Sequence, residues 1–430
     1  MVQSLSLYKT LKRILSELNI QVVEHGERLA YLYLKMAEFR KERFDQHIED
    51  TMLVCFSHDI GSYKTEKFAN LLDFDAKNTL EHCVYGYLFM KHFSFLQDKA
   101  EVFLYHHIPY SQRDKIDSPY IDDGILIHFL DRVDILNITT NSNEKIIEKI
   151  IENKGTLFNP KDVDDFIKLQ EKEHVLEALR EEKYHDDVRA YFDVIDRVRR
   201  LIGPVVDMLA FEIDFRSEQT VVHSITTAVI GRCIAEKMNL PKTSIYEIES
   251  AGKMHDIGKI RIPSRILEKP GKLTPKEYEV MKKHAEYTEE IISDLFPEKI
   301  VKMACRHQER IDGSGYPKGL KGDQLSIPER IVQVADIVSA LVYKRSYRDA
   351  YDKQIVLSIL NEETAAGKFD PSITKIVNDN YDEILNEAAE MSKYAIISYE
   401  ALQKEYKTLL KKYSGLGNNS IEEYELFTLN

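Results

Sequence analysis

Histidines and aspartates recur along this 430-residue chain twice, in the same order and at nearly the same spacing. The first series is His25, His58-Asp59, His82, His106-His107 and Asp131; the second is His223, His255-Asp256, His284, His307 and Asp336. Successive gaps are 33, 24, 24 and 25 residues in the first series and 32, 29, 23 and 29 in the second. Local text repeats too: Ser57-His58-Asp59-Ile60-Gly61 echoes Met254-His255-Asp256-Ile257-Gly258, and Asp131-Arg132-Val133-Asp134 echoes Ala335-Asp336-Ile337-Val338. A duplicated domain accounts for this economically. A lone histidine is ordinarily a surface or satisfied core residue, but five linked positions occurring twice point to ligands. Imidazole nitrogen and carboxylate oxygen suit iron, manganese, zinc or nickel, and an aspartate can bridge two ions. Two such ions can share a hydroxide and clamp an in-line displacement at phosphorus. No Gly-x-Ser-x-Gly or Gly-x-x-x-x-Gly-Lys-Ser/Thr element offers a nucleophile or phosphate loop instead.

The apolar pattern between these positions is helical, with strand-like alternation nearly absent. Ser244 to Glu247 fits a capping box. Thr274, Pro275 and Glu277 combine three helix-start signals ahead of Tyr278, Met281 and Tyr287, on a helix that carries His284. Pro328 opens a segment whose Ile331, Val334, Ala335, Val338 and Leu341 recur at helical spacing and carry Asp336. The charged stretch from about 141 to 200 reads as connecting helices, Gly203-Pro204 as a boundary, and Gly415 to Ser420 as the start of a mobile tail.

Length and charge narrow the setting. A chain this long is expected to divide into more than one domain. A formal charge of −13 argues against a general polyanion binder, so no DNA or RNA duplex is expected as partner. A small phosphorylated ligand held by local cations and metal ions remains compatible with it. No run of apolar residues suits a membrane span, and the N-terminus shows no export signal, which predicts a cytoplasmic protein without membrane contact. Cys55, Cys83, Cys233 and Cys305 lack Cys-x-x-Cys spacing and read as reduced core residues.

His255-Asp256-Ile257-Gly258-Lys259, Ile262-Pro263, Lys269 to Thr274, Met281-Lys282-Lys283-His284 and Asp312-Gly313-Ser314-Gly315-Tyr316-Pro317 together resemble the HD-GYP family. The resemblance continues through Gly319 to Gly322, Ile327-Pro328, Val334-Ala335-Asp336, Arg345-Ser346-Tyr347-Arg348 and Phe369-Asp370-Pro371, covering roughly residues 205 to 375. The first half is similar only to the broader HD superfamily; it lacks the Gly-Tyr-Pro loop and has Ser62 where Lys259 stands in the second copy.

The resemblance implies an all-α protein of two tandem HD-superfamily domains: 1–140, a connector over 141–202, an HD-GYP domain over 203–395, and a helical tail over 396–430. It further implies a metal-dependent phosphodiesterase opening a cyclic dinucleotide, cyclic di-GMP or 3′,3′-cGAMP, to a linear product. Carried over by position, Asp256 bridges two divalent transition-metal ions, with His223, His255 and Asp336 on one and His284 and His307 on the other. Lys259, Arg345, Arg348 and Tyr316 are then the substrate-facing residues, and Asp256 and Lys259 the catalytic ones. Gln308 replaces the second of two consecutive histidines and is expected to be a weaker ligand. Gln219 stands where members with three metals place glutamate, which favours two ions. His25, His58, Asp59, His82, His106, His107 and Asp131 form the second candidate metal set. Two other readings stay open at this level: an active N-terminal domain resembling a 5′-nucleotidase, and an inactive sensor of cyclic dinucleotides. A homodimer is compatible with the composition.

Overall fold

The computed structural model describes residues 20–62, 79–94, 96–194, 218–267, 271–293, 296–342 and 351–416, with Lys12, Ser16 and Lys269 as isolated positions. Among the described residues every regular element is helical; the only strand-like pairings are isolated bridges at Lys154–Phe158 and Asp312–Lys321. The protein is all-α, and its chain divides into two compact units. One contains the described residues from 20 to 194 together with 402–416, the other those from 218 to 401.

The first unit is organised around the Ile20–Arg40 helix. Leu29, Leu32 and Met36 lie at i, i+3 and i+7, so they share one face and are fully buried. That face packs on the Gln46–Ser57 and Ile121–Thr140 helices, which contribute Met52, Val54, Phe56, Phe129 and Val133. Each such side chain contributes about 1.5–3 kcal/mol when removed from water. The charged stretch read as a connector is part of this unit. Arg40 pairs with Asp162 at 2.7 Å and Asp165 at 2.9 Å on the Pro160–Glu173 helix. Phe166 packs on Phe129 and Phe192 on Phe56. Its surface charge concealed an amphipathic pattern that buries Val163, Phe166 and Leu169. Part of the expected tail returns to the same unit, where Glu405 pairs with Lys91 at 2.6 Å and Tyr406 packs on Tyr85.

In the second unit the Glu218–Lys237 helix packs on Lys242–Met254 and Ile327–Val342. The buried Ile331, Val334, Ala335, Val338 and Leu341 are the face expected from their spacing. Thr274 and Glu277 do form a capping box with Pro275 in the first turn, but that helix ends at Lys282, and His284 opens the next one, His284–Ile292. Ser244 does not cap: its helix starts after Pro241, which places Ser244 inside the first turn. Gly203-Pro204, Arg345, Arg348 and the tail beyond Leu416 lie outside the described residues.

Candidate metal centre

Each copy reaches its His-Asp pair by the same local device. The Gln46–Ser57 and Lys242–Met254 helices both end at the histidine, His58 at φ −55°, ψ −34° and His255 at φ −55°, ψ −31°. The aspartate then turns inward, and a glycine follows two residues later. A Cβ on Gly61 would sit 2.0 Å from the His82 carbonyl oxygen, and one on Gly258 would sit 2.0 Å from the His284 oxygen. Only glycine lets the His-Asp turn approach the helix carrying the next histidine this closely.

Backbone carbonyls dictate how the imidazoles face. Nδ1 of His255 lies 2.8 Å from Gly252 O, that of His284 2.7 Å from Met281 O, and that of His307 2.7 Å from Ala304 O. A carbonyl can only accept, so each Nδ1 carries the proton and each Nε2 offers a lone pair. These lone pairs converge. Nε2 of His255 and His223 are 3.2 Å apart, and Nε2 of His284 and His307 are 3.0 Å apart. Asp256 lies between the two pairs with its oxygens divided: Oδ2 is 3.3 Å from His255 and 3.5 Å from His223, while Oδ1 is 3.5 Å from His284 and 3.8 Å from His307. Asp336 Oδ1 completes the first side, 3.2 Å from His223 and 3.6 Å from His255.

The result is two potential donor groups, His223–His255–Asp256 and Asp256–His284–His307, that share one carboxylate. Buried lone pairs facing one another at this range repel unless a positive charge lies among them, so the donor set fits cations. The carboxylates and most of the imidazoles titrate accordingly. Burial would raise Asp256, but His255 and Lys259 hold it well below the usual carboxylate range. Asp336 is likewise held down by His223 and His255 against the upward push of burial. Burial, with His255 and His284 nearby, pushes His307 well down, and burial lowers His284. His255 runs the other way, since against the downward push of burial Asp256 and Asp336 raise it to about 10, so an ion bound here takes the place of a proton on that imidazole and leaves neutral imidazoles and ionised carboxylates as its ligands.

Around this set, Lys259 Nζ reaches Asp256 Oδ2 at 2.5 Å and is partly exposed. The Tyr316 ring lies edge-on to His284 at 6.2 Å, its phenol raised by burial. Gln308 donates from Nε2 to Asp336 Oδ2 at 2.9 Å, so its amide orients a carboxylate. Glu309, fully buried, accepts from the backbone amides of Lys318 and Leu320 at 2.7 and 2.8 Å and so holds the Gly-Tyr-Pro loop. Gly315 is needed there, because its Cβ would fall 2.4 Å from Glu309 Cα. The sequence reading missed Glu309, although it stands beside Gln308 ahead of the loop.

The first unit gathers His25, His58 and Asp131 in one group and His82, Cys83, His106 and His107 in another. Asp59 lies beside the second group, Oδ1 3.5 Å from His82 Nε2. Asp131 differs from Asp336 in being bound by a neighbouring cation, Arg132 Nη2 at 2.6 Å. Asp134, three residues on, receives His25 Nδ1 at 2.7 Å. Cys83 is buried as expected, but its sulfur faces ligand atoms, 3.7 Å from His82 Nε2 and 4.0 Å from His106 Nε2. Its position directly after His82 was the available signal.

A helical fold carrying paired His/Asp donor groups is the arrangement expected of HD-type domains. Residues 205–373 match the HD domain family. The chain is similar to 3'3'-cGAMP-specific phosphodiesterase 1 of Vibrio cholerae serotype O1, with 28% identity over 392 residues, 86% of this chain and 89% of that protein. A cyclic di-GMP phosphodiesterase of Thermotoga maritima is 34% identical over 211 residues, 48% of this chain and 54% of that protein. The crystal structure of a V. cholerae cyclic GMP-AMP specific phosphodiesterase, V-cGAP3, superposes with a TM-score of 0.53 at 20% identity, covering 88% of this chain and 98% of that one. That likeness supports the fold. Among the described residues no helix is long and apolar enough to cross a membrane.

Proposed function

We propose that this chain is a metal-dependent phosphodiesterase that hydrolyses a cyclic dinucleotide, cyclic di-GMP or 3′,3′-cGAMP, to the linear dinucleotide in its C-terminal unit. The observation that carries the reading is the division of Asp256 between two histidine pairs, one oxygen toward each. His223, His255, Asp256 and Asp336 would hold one divalent ion, and Asp256, His284 and His307 the other, drawn from iron, manganese, nickel or zinc. Bound there, such ions supply Lewis acidity and a water of lowered pKa. The chain's own residues do the rest. The i−3 carbonyls hold three of the imidazoles in one tautomer. Lys259, tethered to Asp256 and partly open to solvent, is placed to meet phosphate charge as a point cation. Tyr316, held by the Glu309-anchored loop, borders His284 of the second pair. Arg345 and Arg348 remain candidates for the phosphate and lie outside the described residues.

The names of the relatives support this substrate class. Hydrolysis in the N-terminal unit has Arg132 against it, because that guanidinium neutralises the carboxylate corresponding to Asp336. A sensor without activity would have little use for Lys259 at Asp256. A cytoplasmic setting without membrane or duplex nucleic acid, and a homodimer, fit this reading. The test is incubation of the full chain with cyclic di-GMP, 3′,3′-cGAMP and cyclic di-AMP, followed by separation of products. One or more should yield linear dinucleotide, and Asp256→Asn should lose more than about 100-fold of that rate. Equal turnover by the variant removes this centre from the reaction.

A further inference from the structure

Within the N-terminal unit, Cys83 separates the metal-type cluster from its counterpart. His82 and Cys83 are consecutive on the Leu80–Phe93 helix, and His106 and His107 follow the Ala100–Tyr105 helix. Nε2 of His82 lies 3.1 Å from Nε2 of both His106 and His107, and the Cys83 sulfur lies 3.7 and 4.0 Å from His82 and His106 Nε2. A tetrahedral ion bonded to imidazole at about 2.05 Å and thiolate at about 2.3 Å has edges of about 3.3 Å between nitrogens and about 3.6 Å to sulfur. Four of the six separations among these atoms already stand near those values, and all of them lie within 4.8 Å.

A second observation points to a cation independently of the sulfur. Asp59 is 3% exposed and its Oδ1 has no hydrogen-bond partner, yet it is aimed at this cluster, 3.5 Å from His82 Nε2 and 3.7 Å from His106 Nε2. With its Nδ1–H turned to Phe103 O at 2.7 Å, the neutral form of His106 presents Nε2 to Asp59 as a lone pair, and only the imidazolium could donate there. A buried carboxylate oxygen left without a donor is costly, and a positive ion among the imidazoles relieves it. In the C-terminal unit the residue after His284 is Ala285, which offers no donor atom.

We propose that the N-terminal unit binds one soft-leaning divalent ion, zinc or ferrous iron, through His82, His106, His107 and the Cys83 thiolate. Three imidazoles and a thiolate complete a four-coordinate shell, the closed kind found in structural sites. Binding releases the thiol proton to solvent and leaves no position for a reacting water. The two units therefore use one ancestral arrangement differently: the second for an open pair of ions, the first for a closed single ion.

Cobalt(II) reports thiolate ligation directly through a sulfur-to-metal charge-transfer band in the near ultraviolet. Full-length protein reconstituted with cobalt should show that band, should keep it in a His255→Ala/His284→Ala variant and in Cys305→Ser, and should lose it in Cys83→Ser. A cobalt-loaded chain without the band, or a band that survives Cys83→Ser, overturns the proposal. Should Cys83→Ser fail to fold, X-ray absorption on the zinc-loaded His255→Ala/His284→Ala protein decides: a single sulfur scatterer at about 2.3 Å supports the thiolate, and a shell of nitrogen and oxygen alone refutes it.

Discussion

The hydroxyl of Ser339 lies 2.9 Å from Nδ1 of His223 and 3.2 Å from that residue's backbone oxygen. The carbonyl can only accept, so the hydroxyl donates to it and accepts from Nδ1–H, leaving Nε2 of His223 for the centre. Asp134 makes the equivalent contact to His25 in the first unit, at the same offset of three residues from the ligand aspartate. Ser339→Ala should therefore weaken metal binding at the His223–His255 position by about 10–100-fold, and Ser339→Asp should strengthen it. Metal titration of the two variants measures both.

Gln308 stands beside the second pair of imidazoles and donates to Asp336. Gln308→His supplies a further imidazole where the amide now points at a carboxylate. Affinity at the His284–His307 position should rise at least about tenfold, read by competition with a chelating dye. Unchanged affinity would mean that position 308 does not face the ion.

Gly258 has no room for a methyl group, with the His284 oxygen 2.0 Å from its Cβ direction and the Thr288 nitrogen 2.5 Å away. Gly258→Ala should cost about 3 kcal/mol, at the upper end for overpacking. Denaturant unfolding gives the loss, and metal stoichiometry should fall with it, because the same turn places Asp256.

Removal of metal should lower the melting temperature of the chain. An ion present at about 100 times its dissociation constant adds about 2.7 kcal/mol, so chelation should lower the transition by about 5–10 °C. Differential scanning of loaded, chelated and reloaded protein tests this, and a transition indifferent to the chelator would contradict the converging lone pairs.

Glu277 supplies a pH-dependent contribution away from the centre. Hydrogen bonds from Lys269 first, then from the Thr274 amide and hydroxyl, hold it at about 2 against an ordinary value of 4.5. Its folded value is depressed, so the contribution is complete above about 4.5 and is lost as pH falls toward 2. The stability difference between wild type and Glu277→Gln should shrink over that window in parallel unfolding curves.

Much of this was legible from the residues alone, because covalent spacing constrains what helices can bring together. Two series of histidines and aspartates at matched intervals, set in 3.6-residue periodicity, already implied a duplicated helical protein with metal ligands. The Thr274 cap was equally local, needing only three neighbouring residues. In the charged stretch that begins at about 141 exposed charge outnumbers the few buried positions, and only packing revealed Phe166 and Phe192 as core. Likewise, the division of Asp256 between two pairs, the Ser339 and Asp134 supports, Arg132 against Asp131 and the inward sulfur of Cys83 belong to tertiary structure. Chain spacing determines which donors exist, and carbonyls three residues back orient His255, His284 and His307, but whether those lone pairs meet depends on contacts between residues tens to more than a hundred positions apart, and those form only when the helices pack.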